Sequence, residues 1–347
     1  MLTAKQNMYE AVKGGHPDRA VNQYEAMQLM MHPYMIHCNQ LLQPGMENVV
    51  NAWGVTNSFP VGVPGAFPVH TPDKIVIKDI EHWQDYVHAP SLDFPEEEWA
   101  MFAEQYAQLD GERAYKAAFI APGIFENCHH MGEIANTLVN LFEYPDEMHD
   151  LIKYLTDWEL EMAEGICANL HPDAIFHHDD FGSEQNSFLR PSVFEDFFLE
   201  AYQKIYGYYK SHGVEFIFHH SDSYCANIVP IMIDMGIDVW QGCMHSNNVP
   251  ELVKKYGGKM TFMGEIDNKQ VDFDGWTQAD CERAAVNAME SCGMKHFIPC
   301  ITQGGPGSLY EGTYKGIWDA IDRYNCEHFG HKLEDIEANR MPISIMF

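Results

Sequence analysis

The sequence predicts an α/β protein, a (β/α)8 TIM barrel with an irregular N-terminal extension. Three observations predict it. From residue 116 onward, short apolar runs alternate with longer amphipathic stretches, the pattern of βαβ units on a parallel sheet. Five successive apolar runs between 174 and 300 end in His, Asp, Glu, Cys or Gln. A (β/α)8 barrel carries its chemistry at those C-terminal strand ends. No G-x-G-x-x-G and no Walker-type loop is present, which weakens a nucleotide-binding doubly wound sheet.

The elements follow in order. Residues 3–13 read as a short helix. Residues 44–72 are dense in Pro and Gly and read as a long loop, either a pocket wall or a surface excursion. Residues 92–115 are acidic and helical. Strands are expected at 116–121, 174–178, 215–219, 238–241, 260–264 and 296–299, and the runs at 34–37 and 74–77 would supply the remaining two of eight. Helices are expected at 133–142, 145–169, 192–211, 227–235, 250–256, 277–291 and 314–329. In the second of these, Leu151, Leu155, Trp158, Met162 and Ile166 fall on one stripe. The whole chain, 1–347, is expected to form one domain.

Composition narrows the function classes. The chain carries 21 Lys+Arg against 51 Asp+Glu, a formal charge of −30. That argues against nucleic acid and against an anionic membrane surface, since both need a basic footprint. Nine scattered Cys with no C-x-x-C pair suit a reducing cytoplasm. No run approaches the length of a membrane span, so a soluble, cytoplasmic protein is expected.

The expected strand ends collect the chemistry. They read His177-His178-Asp179-Asp180 through Glu184, then His219-His220-Ser221-Asp222, then Gln241 to His245, then Gly264-Glu265-Ile266-Asp267, then Pro299-Cys300-Ile301-Thr302-Gln303. Such a rim suits a transition metal. Zinc takes His nitrogen, Cys sulfur and carboxylate oxygen, and a catalytic site keeps one position open. His220 and Asp222 bracket one residue, so extended backbone points both to one face. Cys300 and Glu184 are the further candidate ligands. The alternatives are a hydrogen-bonded buried His220 and an inert buried Cys300. His177, His178 and His219 leave the register open by one residue. Asp180 is read as a general acid with a pKa raised by its surroundings, or as a cap on the following segment. Asp179, Gln303 and Tyr310 are candidate substrate-binding residues. Trp53, Phe59 and Phe67 are read as pocket wall or as ordinary packing.

The run His178–Ser183, then Leu189-Arg190-Pro191 opening a helix, then Phe218–Asp222, Gly264–Asp267 and the 299–308 segment resemble the uroporphyrinogen decarboxylase superfamily. The likeness spans roughly 110 to 330, and the opening 14–21 segment, with His16-Pro17-Asp18-Arg19, also looks like the family's start. The chain is more similar to the cobalamin-dependent methyltransferase branch than to the decarboxylases. The resemblance implies a (β/α)8 barrel. It also implies a zinc site, held in the thiol methyltransferases by a His-x-Cys pair and a later Cys. His220 matches that His, Cys300 matches the later Cys, and Asp222 stands where the first Cys would be. Asp for Cys makes the site harder and less thiophilic.

The branch it then resembles is the methyltransferase component of an O-demethylase system. That implies a small methoxylated methyl donor, with an aromatic one the expected class, and a corrinoid (cobalamin) carried by a partner protein. The alternatives are a methylcobalamin-to-thiol methyltransferase, uroporphyrinogen decarboxylation, and a non-catalytic barrel binding a corrinoid-like ligand. Decarboxylation ranks low, because a poly-anionic substrate needs several Arg contacts and the chain has six Arg in all.

Overall fold

The computed structural model describes residues 1–39, 42–63, 65–303 and 310–342. Among the described residues, seven strands form one parallel sheet in the order of the chain: β1 (Met27–Met30), β2 (Tyr115–Ile120), β3 (Ala174–His178), β4 (Phe216–His220), β5 (Val239–Cys243), β6 (Thr261–Ile266) and β7 (Phe297–Ile301). Helices fill the crossovers, including Pro145–Leu170, Pro191–Ser211 and Gln278–Cys292, and the helix Thr313–Phe329 follows the last strand. This is the expected α/β barrel of the (β/α)8 type. The expected stripe Leu151, Leu155, Trp158, Met162 and Ile166 is buried, facing the sheet and neighbouring helices.

The seam between β7 and β1 is spanned by residues 20–25. The Gln23 N–H donates to the Pro299 carbonyl, and its side-chain oxygen accepts from the Ile301 N–H, both at 3.3 Å. The helix Ala4–Lys13 covers the N-terminal end of the barrel. Its Tyr9 ring packs on Phe216, and the Ala11 carbonyl accepts from His296 N–H at 2.8 Å. A capping box between Thr3 and Gln6 starts this helix and Gly14, at φ +70°, ends it. The opposite, C-terminal face is therefore the open mouth. No helix among the described residues is long and apolar enough to cross a membrane.

The structure corrects the N-terminal third. Neither 34–37 nor 74–77 is a barrel strand. Pro33 sits at the first turn of a helix, Pro33–His37, where its fixed φ suits the helix and its missing N–H costs nothing. The N–H groups of Val76 and Ile77 both donate to the Met131 carbonyl, so that segment is tied to a helix end rather than to a ladder. The true first strand, β1, is Met-Gln-Leu-Met. It is short and carries no β-branched residue, so its local strand preference is weak, and burial on all four residues stabilises it instead. The 44–72 loop carries a small antiparallel sheet of Val49–Val50, Thr56–Ser58 and Phe67–Pro68.

One glycine shapes the mouth. The ladder between β5 and β6 slips between Gln241 and Cys243, a bulge at Gly242 with φ +88°. A Cβ there would stand 2.9 Å from the Ser221 carbonyl oxygen. We therefore expect Gly242→Ala to cost at least about 2 kcal/mol, from left-handed strain plus overpacking, read as a lower urea midpoint.

Candidate metal centre at the barrel mouth

Strands β3 and β4 pair in register, His177 opposite His219 and His178 opposite His220. The two-residue alternation of a strand then separates the pairs. His177 and His219 leave the barrel and are fully buried beneath the helices. There His177 Nε2 meets Glu159 Oε1 at 2.8 Å, and the Tyr206 hydroxyl lies 3.2 Å from His177 Nδ1 and 2.8 Å from His219 Nδ1. His178 and His220 turn inward and stack, ring centroids 4.4 Å apart and planes 26° apart.

These two imidazoles and Asp180 each offer one ligand atom, and the three atoms lie within 4.8 Å of one another. The surroundings orient both rings. His178 Nδ1 is hydrogen-bonded to Glu126 Oε2 at 2.9 Å, and His220 Nδ1 to the side-chain oxygen of Gln241. A donated Nδ1–H directs each Nε2 to the cluster, the usual outer-shell arrangement of metal-bound His, where a bound ion would displace any Nε2 proton. Two imidazoles and one carboxylate suit zinc with an open position. The residues present therefore fit the expected metal. The Asp180 Oδ1 also accepts the Asp222 N–H at 2.9 Å, which holds the two strand ends together.

The electrostatics of the mouth are polarised. Burial alone would lower His178, but the Glu126, Asp180 and Asp222 carboxylates lift it to about 10. Burial and the charge of His178 lower His220 to about 4. Burial and the adjacent Asp180 carboxylate raise Asp222 to about 8, opposed by a hydrogen bond from Gln303.

Several other imidazoles are kept neutral by burial. His32 is lowered to about 4, His129 to about 4, and His219 well below its usual value. Such a group stays neutral in the folded chain while its unfolded counterpart takes up a proton, so its contribution to stability is present above about pH 6.5 and is lost towards pH 4. The expected result is a melting temperature that falls between pH 7 and pH 5. His32, by itself, would contribute about 2 kcal/mol of that loss at pH 5. A His32→Gln protein should show a shallower decline, and an unchanged one would remove His32 from the account.

The sequence-predicted residues separate. His220 and Asp180 stand in the triad, and Asp222 adjoins it with Gln303. Asp180 is expected above as a general acid or a cap; beside it, burial raises the carboxyls of Asp222 and Glu126. Cys300 is buried on β7 against Gln241 and Tyr24, one side chain removed from His220, and burial pushes its thiol up. Glu184 lies outside, its carboxylate exposed and paired with Lys269 at 2.6 Å. Asp179 faces away from the mouth. It is fully buried and accepts from the N–H groups of Phe125 and Glu126, each at 2.9 Å, and from the Tyr202 hydroxyl. It caps the helix Ile124–Gly132, and Gly123 allows the approach, since a Cβ there would meet Asp179 Oδ2 at 2.4 Å. Tyr310 is half exposed on the rim. Residues 304–308 of the last rim segment lie outside the described residues. Trp53 is core, its indole N–H on the Tyr34 hydroxyl at 3.2 Å. Phe67 is exposed and Phe59 half-buried.

Sequence reasoning missed Glu126 and Tyr24. The spacing Glu126-x-x-His129-His130 puts three metal-capable side chains on one helix face and was the readable signal. Tyr24 enters through the seam beside β1, which the sequence hides.

The family model for uroporphyrinogen decarboxylase (URO-D) matches residues 107–298, more than half of the chain. No curated protein sequence matches significantly. Among solved structures, a methyltransferase from Methanosarcina mazei superposes with a TM-score of 0.62 at 14% identity, over 93% of this chain and 99% of that one. A modular endo-β-1,4-mannanase from Cellulomonas fimi gives 0.39 at 11% identity, over 92% and 74%. A sugar phosphate isomerase/epimerase from Parabacteroides distasonis gives 0.35 at 11%, over 70% and 86%. The first of these shares the fold. The inward histidines of β3 and β4 fall within the matched span, and by that match the chain belongs to the uroporphyrinogen decarboxylase family.

Proposed function

We propose that this protein is a methyltransferase that takes the methyl group from a small methoxylated compound, with a methoxyarene the preferred class, and passes it to a corrinoid carried by a partner protein. The observation that carries this reading is the geometry of the mouth itself: a nitrogen and oxygen triad of His178, Asp180 and His220, with Asp222 tied to Asp180 beside it. A zinc ion on that triad would supply Lewis acidity towards an ether oxygen, and the partner's corrinoid would supply the nucleophile. The work of the chain is then to hold, orient and protonate. Glu126 and Gln241 fix the two imidazoles. As the carbon–oxygen bond breaks and the methyl group leaves, Asp222 delivers its proton to the departing oxygen, converting a poor alkoxide or phenoxide leaving group into a neutral alcohol or phenol.

The donor set favours this over thiol chemistry. A thiol acceptor gains most from a thiolate-rich zinc site, and here the cluster holds oxygen where sulfur would serve better. Porphyrinogen decarboxylation is disfavoured by the arginines. Arg19, Arg113, Arg283, Arg323 and Arg340 pair with carboxylates of their own, and Arg190 lies over the Phe142 ring. Arg190 is the one of the six without a carboxylate partner among the described residues, and one is too few to meet a poly-anion. Exposed apolar side chains in the loops around the mouth, among them Val61, Phe67, Phe188, Phe273 and Tyr310, support the docking of a protein partner.

The test mixes zinc-loaded protein with a reduced corrinoid protein and a panel of methoxyarenes, with thiols plus methylcobalamin as the comparison. The expected result is a phenol product from at least one methoxyarene. Thiol methylation without any demethylation would overturn the proposal.

A further inference from the structure

We infer that the barrel mouth holds a second site for a divalent transition-metal ion, formed by Glu126, His129 and His130. All three lie on the helix Ile124–Gly132 that follows β2. Positions i, i+3 and i+4 of a helix share one face, so the three side chains converge without help from any other element. Their ligand atoms lie within 4.8 Å of one another. Zinc–nitrogen and zinc–oxygen bonds of about 2.0–2.2 Å place two ligands of one ion at most about 4.4 Å apart, so a small side-chain adjustment closes the site.

Three further observations point to a ligand. Neither His129 nor His130 makes a side-chain hydrogen bond to any described residue, although both rings are partly buried and pack against each other at 4.8 Å. Two adjacent imidazoles without protein partners are an unusual use of buried polar surface. The helix is held at both ends. Asp179 caps its first turn. The carbonyls of His130 and Met131 accept from His70 Nε2 and from the Val76 and Ile77 N–H groups. The ligand-bearing face is thus fixed before any ion arrives. Finally, Glu126 has two oxygens, and only Oε2 is engaged by His178. Oε1 makes no hydrogen bond to any described residue.

Glu126 would then join the two centres, orienting His178 with one oxygen and ligating the second ion with the other. Imidazole-rich donors select zinc, cobalt, nickel or iron over magnesium or calcium. The second ion would offset the charge of the crowded carboxylates Glu126, Asp180 and Asp222. The inference does not need the first triad to be occupied.

The experiment is an anomalous difference map of wild-type crystals soaked in zinc, collected at the zinc edge, with zinc stoichiometry in solution for wild type, His129→Gln, His130→Gln and His220→Gln. The expected result is a peak between Glu126, His129 and His130, two equivalents in the wild type, and one in each variant. A map with no density between these three side chains would overturn the inference, as would two equivalents retained in both His129→Gln and His130→Gln. If His220→Gln keeps all the zinc bound by the wild type, the triad assignment fails and this one stands. The map does not depend on any variant folding.

Discussion

The His220→Ala protein is expected to fold and to lose demethylation by a factor on the order of 10³ or more, as the removal of several kcal/mol of metal-derived stabilisation requires. His220 is one of three side chains whose ligand atoms converge, and Gln241 holds its Nδ1, so truncation removes an oriented nitrogen ligand outright. Its ring stacks on His178, so truncation also frees that ring to tilt. A graded control sharpens the result. Gln241→Ala removes the acceptor for Nδ1–H, together with the Gln241 contact to Cys300, and should weaken zinc binding by about 10–100-fold while keeping all three ligands of the triad. Cys300→Ala should keep its zinc, because the thiol sits beyond Gln241 rather than within the cluster. Dialysis against graded chelator followed by elemental analysis reads all three. Full activity in a metal-free His220→Ala protein would sink the assignment.

Asp179→Ala is expected to cost about 3–5 kcal/mol of stability, because it orphans several buried donors at once and each unsatisfied group costs about 1–3 kcal/mol. The donors are the N–H groups of Phe125 and Glu126 and the Tyr202 hydroxyl. The consequence reaches the mouth, since the capped turn carries Glu126, which holds His178. Urea unfolding of the metal-free protein measures it. A variant of unchanged stability and raised KM would show instead that Asp179 touches substrate.

The contrast between Asp179 and Asp180 shows what a sequence can carry. Adjacent residues at a strand end face opposite ways, so one carboxylate had to leave the mouth. The sequence alone does not say that the one that leaves is pinned by a helix from the preceding crossover. The same holds for the histidines. Period-two alternation demands that one of each pair face inward, and the choice of His220 over His219 depends on register set by pairing with β3. From residue 116 onward the strands and helices were legible because each apolar run is long enough to bury. Before residue 116 the signals mislead. A buried Met-Gln-Leu-Met strand has little local preference, and a Pro-initiated turn of helix imitates an apolar strand. Glu184 shows the limit of proximity in sequence. It follows β3 by a few residues, yet its carboxylate is exposed and paired with Lys269.

The central claim is a metal centre of nitrogen and oxygen donors from His178, Asp180 and His220. Zinc K-edge X-ray absorption of the loaded wild-type protein tests it most directly. The expected spectrum shows nitrogen and oxygen neighbours at about 2.0–2.2 Å with imidazole scattering behind them. A sulfur at about 2.3 Å would bring Cys300 among those neighbours and contradict the assignment.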